Sequence, residues 1–216
     1  MSAMSAMNTI NTTNTRCTVI VMAKAPLPGF AKTRLIPALG AEGAAAIAHR
    51  LLDRAVEQAL AADLGGVDLC CAPDSRHAAF ARLAESPRVE LSPQGEGDLG
   101  ARMARAFERW LAHVPQVLLI GTDAPALDAA LLQQAARARA DTDAVFVPAH
   151  DGGYALVGLR RPSPSLFDAM LWSTSTVMAQ TRERLAAAGL RHTELPAVAD
   201  IDNAADLVHL PRGWWP

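Results

Sequence analysis

Apolar residues run through Cys17 to Ala23 (CTVIVMA) without polar alternation and with several β-branched members, which fits a strand covered on both faces of a parallel sheet. Val67 to Ala72 and Ala144 to Ala149 repeat the pattern, and Val117 to Gly121 (VLLIG) is the most apolar of these runs, hence central. Shorter strands are expected at Arg88 to Leu91 and Thr193 to Ala197. Between them the period changes. Ala44, Ile47, Ala48, Leu51, Leu52, Ala55, Val56, Ala59 and Leu60 recur every three or four residues and mark a long amphipathic helix. Further helices are expected over Ser75 to Glu85, along the Met103, Ala106, Phe107, Trp110, Leu111 face with Asp98 as N-cap, and over Leu127 to Ala140. The alternation of strand and helix favours an α/β architecture with a doubly wound parallel sheet covered by helices.

No repeat or low-complexity linker interrupts this order, so one domain is expected over residues 17–210, with a disordered tail at 1–16 and a short tail at 211–216. The leading MSAMSAMNTINTTNTR lacks the basic start and apolar core of a signal peptide, and no apolar stretch reaches the roughly 18 to 20 residues needed to span a bilayer. A cytoplasmic protein is expected. Its formal charge of −2 and pI near 6.3 argue against a general nucleic-acid binder. Cys17, Cys70 and Cys71 lie in apolar runs, without the spacing of a zinc site or disulfide framework, and read as reduced core residues. Trp214 and Trp215 near the end suggest a self-association surface and a homo-oligomer.

Charge is distributed unevenly in kind. Only two lysines occur against eighteen arginines, and both fall in KAPLPGFAK, Lys24 to Lys32, directly after the first strand. In open α/β sheets ligands bind at the carboxyl ends of strands, and an ammonium acts on phosphate as a point charge. Gly29 permits close backbone approach to an anion, Pro26 and Pro28 stiffen the loop, and Arg34 adds a bidentate donor. The loop therefore reads as a phosphate site. It is not a nucleotide P-loop, since Ala31 and Pro26 stand where that motif requires glycine. Dinucleotide-dependent redox chemistry and serine hydrolysis find no matching motif.

Polar residues gather where the other strands stop. VLLIG runs into Thr122-Asp123-Ala124-Pro125, and Asp123 reads as a ligand for Mg²⁺ or Mn²⁺ or, alternatively, as the N-cap of the following helix. Asp200 and Asp202, one residue apart on extended chain, point the same way and suit a shared cation, although Asp202 is also placed to cap a helix at Ala204 to Val208. Asp151-Gly152-Gly153-Tyr154 is either a hairpin turn or part of the site, with His150 beside it as a possible base. Gln94-Gly95-Glu96-Gly97 is a flexible entry to a helix whose amide groups suit a base or sugar.

The stretches AKAPLPGFAKTRLIPALG, QGEGDLGARMARAF, VLLIGTDAPAL, PAHDGGYALVGL, WSTSTV and DIDNAADL together resemble the bacterial glycosyltransferase A family formerly known as domain of unknown function 2064, a relative of the molybdenum-cofactor and phospholactate guanylyltransferases. The resemblance spans Thr18 to Leu207 and implies a Rossmann-like nucleotide-diphospho-sugar transferase (type A glycosyltransferase) fold, with a mostly parallel central sheet sandwiched by helices. It implies that Lys24, Gly29, Lys32 and Arg34 face the nucleotide phosphates and Gln94 to Gly97 the base. Asp123, Asp200 and Asp202 would hold the metal, and Asp151, Gly152, Gly153 and Tyr154 would lie by the sugar or acceptor. Lys24, Lys32, Asp123 and Asp151 are the expected catalytic residues. The activity so implied is metal-dependent transfer from a nucleotide-diphosphate sugar to a small-molecule acceptor. Two alternatives stay open: nucleotidyl transfer from a nucleoside triphosphate to a phosphorylated acceptor, and nucleotide binding without turnover.

Overall fold

Side chains alternate across a strand, so the first apolar run must feed two cores at once. In the computed structural model, which describes residues 17–138 and 142–214, it does. β1 (Cys17–Lys24) sends Val19, Val21 and Ala23 into one apolar cluster and Ile20 into another on the opposite face. The first cluster is closed by α1 (Ile36–Ala61) and α4 (Ala129–Ala138), the second by α3 (Leu99–Leu111) and α5 (Val177–Ala187).

The remaining strands are β2 (Val67–Ala72), β3 (Val89–Pro93), β4 (Gln116–Gly121), β5 (Ala144–Pro148), β6 (Tyr154–Leu159) and β7 (His192–Glu194), and α2 (Ala78–Leu83) lies between β2 and β3. They form one sheet in the order β3-β2-β1-β4-β6-β5-β7. Only β6 is antiparallel to its neighbours β4 and β5, so β1, β4, β5 and β7 deliver their carboxyl ends to one edge. That edge carries the functional residues.

Several elements differ from the sequence expectation. α5 was not anticipated: its buried residues are Val177, Met178, Thr181 and Leu185, an inner face too sparse to stand out among its charges. α2 is shorter than Ser75 to Glu85, and the segment at Ala204–His209 is a 3₁₀ helix. β7 stops at Glu194, and pairing resumes only as a bridge between Ala149 and Val198. Trp214 packs on the Leu35, Ile47, Leu51, Ile201 cluster, and its carbonyl accepts a 2.7 Å hydrogen bond from Arg50. The expected N-terminal tail, the helix end at Ala140 and Trp215 lie outside the described residues.

Candidate functional site

The loop after β1 is closed by its own backbone, with the Leu27 carbonyl accepting from Phe30 and Ala31, and Gly29 takes φ 77° where an added Cβ would meet nothing. The turn carries the chain to Lys32, whose φ of 50° is left-handed, a conformation costing a non-glycine residue roughly 1–2 kcal/mol. The side chain turns inward. Its Nζ lies 2.6 Å from Asp123 Oδ1 and 3.1 Å from Asp202 Oδ1, and it also donates to the Ile201 carbonyl. Burial opposes the charge on Lys32, but Asp123 and Asp202 outweigh it and hold its pKa above the ordinary value. The Ile201 amide donates in turn to the Asp123 carbonyl at 2.8 Å. Thus the first loop, the end of β4 and the segment after β7 are joined around one ammonium.

Beside this junction, Asp151, Asp200 and Asp202 each place an oxygen within 4.8 Å of the others. Asp151 follows β5 and uses Oδ1 to accept from the Gly153 amide at 2.8 Å. Burial, and next the Asp151 carboxylate, raise the pKa of Asp200. Arg34 reaches the second oxygen of Asp202 at 3.5 Å. Crowded, partly desolvated carboxylates with free lone pairs form the hard-oxygen donor set that Mg²⁺ and Mn²⁺ take, so these residues fit a divalent ion. Where the sequence reading grouped Asp123 with Asp200 and Asp202, the structure groups Asp151 with them and ties Asp123 to Lys32.

None of these acids is consumed as a helix cap. Asn203 caps the 3₁₀ helix: its Oδ1 accepts from Ala205, and Asp206 returns a capping box by accepting from the Asp202 and Asn203 amides at 2.9 and 2.8 Å. At α4 the Leu131 amide donates to Asp128 at 2.8 Å, leaving Asp123 free of that role. A cleft of about 350 Å³ adjoins the cluster, lined among others by Arg34, His150, Asp151, Thr174, Asp200 and Asp202. A larger one of about 580 Å³ opens at the opposite edge of the sheet, where Arg88 pairs with Asp63, away from all of this chemistry.

The family described as uncharacterized protein conserved in bacteria (DUF2064) matches residues 55–174. The chain belongs to this family. It is similar to a structure from Desulfovibrio desulfuricans G20, provisionally named a nucleotide-diphospho-sugar transferase, at 30% identity and TM-score 0.83 over 92% of this chain and 87% of that one. More distant likenesses include 4-diphosphocytidyl-2C-methyl-D-erythritol synthase of Anaerococcus prevotii (8% identity, TM-score 0.61, 91% of this chain and 96% of that one). Another is a mannosyltransferase of Pyrobaculum calidifontis in complex with GDP-Man and Mn²⁺ (19%, 0.52, 92% and 58%). At such identities these last two speak for the fold alone. No curated protein matches in sequence. The DUF2064 protein thus has the nucleotide-diphospho-sugar transferase fold.

The other expected residues of this DUF2064 chain fall in two sets. Lys24, at the end of β1, is exposed and has no partner among the described residues. Gly152 lies at the site, with φ 92° and its carbonyl accepting from Met178, and an added Cβ would stand 2.1 Å from the Ser175 carbonyl oxygen. Gln94 and Tyr154 instead face inward. Gln94 Nε2 donates to the Ala23 and Cys70 carbonyls at 3.1 and 3.0 Å, bridging strand ends rather than opening to a base. Tyr154 packs its ring against Phe146 and Trp172, and its buried hydroxyl finds no partner among the described residues. Gly97, at φ 97°, faces Ala101 and gives its carbonyl to Arg102. Sequence reading missed Asp128, Ser175, Asp206 and His209. Asn203-Ala-Ala-Asp206 was the available signal for the capping box, and Asp128 stands just before an apolar helical run. Among the described residues no helix is long and apolar enough to cross a membrane.

Proposed function

We propose that the protein is a metal-dependent glycosyltransferase-like enzyme that uses a nucleotide-diphosphate sugar. The observation that carries this reading is the convergence of Asp151, Asp200 and Asp202 with the loop cations Lys32 and Arg34 at the carboxyl edge of a transferase-fold sheet. A divalent ion held by these three carboxylates would supply Lewis-acid neutralisation of the leaving nucleoside diphosphate. Lys24 and Arg34 add positive charge where the diphosphate departs, and fixed charges aimed at developing charge are worth more in a partly dry site than in water. His150, which lines the 350 Å³ cleft next to the metal-holding Asp151, accepts the proton of an acceptor hydroxyl as that oxygen bonds to the anomeric carbon and the sugar–phosphate bond breaks.

The cleft also favours this reading over nucleotidyl transfer. Beyond the acids that would hold the metal, Ser173, Thr174, Ser175 and Asn203 line it, hydrogen-bonding groups that suit a hydroxylated acceptor. Nucleotidyl transfer remains the second reading because the synthase neighbour shares the fold. The test is an incubation with Mn²⁺ or Mg²⁺ and a panel of nucleotides and nucleotide sugars. Free nucleoside diphosphate released from a nucleotide sugar supports the first reading. Pyrophosphate released from a triphosphate replaces it with the second.

A further inference from the structure

Resting on the metal-site reading above, we infer that Lys32 is a resident cation that makes binding of the divalent ion contingent on the diphosphate that accompanies it. An ammonium has three donors, and those of Lys32 have three acceptors: Asp123, Asp202 and the Ile201 carbonyl. In this arrangement no donor is left for phosphate, although the loop it belongs to faces the site. Asp202 is shared: one oxygen answers to Lys32, the other to Arg34, and the same carboxylate belongs to the three-acid cluster.

Before any ligand arrives the site is short of positive charge by the equivalent of one divalent ion. Four carboxylates, Asp123, Asp151, Asp200 and Asp202, stand against two cations, leaving a net charge of about −2, which one divalent ion neutralises. A bare ion entering the cluster meets Lys32 and Arg34 at close range, in a partly desolvated setting where like charges repel strongly. A diphosphate brought with the ion reverses that field. Its oxygens offer the ammonium and guanidinium replacement acceptors, so Asp202 can turn to the metal without either cation losing its partners. Ion and diphosphate therefore bind as a coupled pair, each raising the affinity for the other by the same factor.

The experiment measures Mn²⁺ affinity by the electron paramagnetic resonance of the free ion, without nucleotide, in wild type, Lys32→Met, Lys32→Arg and Arg34→Gln. It is then repeated with the manganese–pyrophosphate complex as ligand. Lys32→Met is expected to bind free Mn²⁺ about tenfold more tightly than wild type and to lose most of the advantage of the pyrophosphate complex, within the range of ordinary coupling energies. Lys32→Arg keeps the charge and stays near wild type. Arg34→Gln, which replaces a largely exposed side chain, gives a smaller rise and tests the idea even if Lys32→Met folds poorly. Unchanged or weakened Mn²⁺ binding in both Lys32→Met and Arg34→Gln overturns the inference while the metal site stands. Absence of Mn²⁺ binding by wild type, alone or with pyrophosphate, overturns the metal-site reading itself and this inference with it.

Discussion

Lys32 and Asp202 are 170 positions apart in the sequence and 3.1 Å apart in the structure. The contact joins a loop that follows the first strand to a segment that follows the last, and it exists because β1 and β7 run parallel and release their chains on one side of the sheet. A lysine this buried keeps its charge only because two carboxylates meet it, so the pair reports the assembly of the whole edge.

Two aspartates, Asp128 ahead of α4 and Asp200 after β7, have separable tasks. Asp128→Ala removes the acceptor for the Leu131 amide and should lower unfolding stability in urea by about 0.5–2 kcal/mol, with Mn²⁺ binding intact. Asp200→Asn should do the reverse, abolishing Mn²⁺ binding while leaving the urea midpoint unchanged or higher, since its carboxylate is held among like charges. Loss of Mn²⁺ binding in Asp128→Ala would reassign that residue to the site.

Gln94 links the ends of β1 and β2 through the Ala23 and Cys70 carbonyls. Gln94→Leu leaves both buried acceptors without their donor and should cost about 1–3 kcal/mol in chemical denaturation. If the amide served a nucleotide base instead, the variant would keep its stability and change the order of preference among nucleotides in an equilibrium binding panel.

The sheet was legible because strands buried on both faces leave unbroken apolar runs, as in VLLIG of β4. The acids at strand ends were legible for a related reason, since parallel strands leave no other place for a ligand. What sequence could not decide was the choice between neighbours. Asp202 and Asn203 are both good caps, as are Asp123 and Asp128, and the choice depends on which one has extended backbone immediately before the first helical turn; Asn203, at φ −135° and ψ 176°, has it. The inward turn of Lys32 was equally hidden, because a Pro/Gly loop with two lysines reads the same whether its ammonium meets phosphate or carboxylate. Tyr154 misled through its neighbours: it follows Asp-Gly-Gly, but as the first residue of β6 its side chain belongs to the core face.

Two glycines with positive φ should behave differently. Gly152→Ala would press a Cβ against the Ser175 carbonyl at 2.1 Å, so the Asp151 turn or the 173–176 segment must move. Stability should fall by at least about 1–3 kcal/mol, and Mn²⁺ binding should weaken with it because Asp151 is the adjacent residue. Gly29→Ala meets open space and carries only the left-handed backbone cost, about 1–2 kcal/mol, with Mn²⁺ binding unaffected. Calorimetric metal titration alongside urea unfolding separates the two.

Tyr154 is the only tyrosine in the chain, which makes its ionisation directly observable by ultraviolet absorbance. Burial pushes its pKa well above the ordinary value, with Arg184 opposing more weakly. Because the folded-state pKa is raised, the neutral phenol contributes stability that is fully present below about pH 10, and this is lost as pH climbs and the unfolded chain gives up its proton first. Wild type should therefore lose stability more steeply than Tyr154→Phe above about pH 10. At neutral pH the phenylalanine variant should be neutral or more stable by up to about 1 kcal/mol, since it deletes a buried hydroxyl that has no partner among the described residues. Thermal unfolding at pH 7 and across the alkaline range measures both effects. A variant less stable than wild type at neutral pH would mean that the hydroxyl is hydrogen-bonded in solution, and an ordinary phenolic titration in the folded protein would mean that it is exposed to solvent.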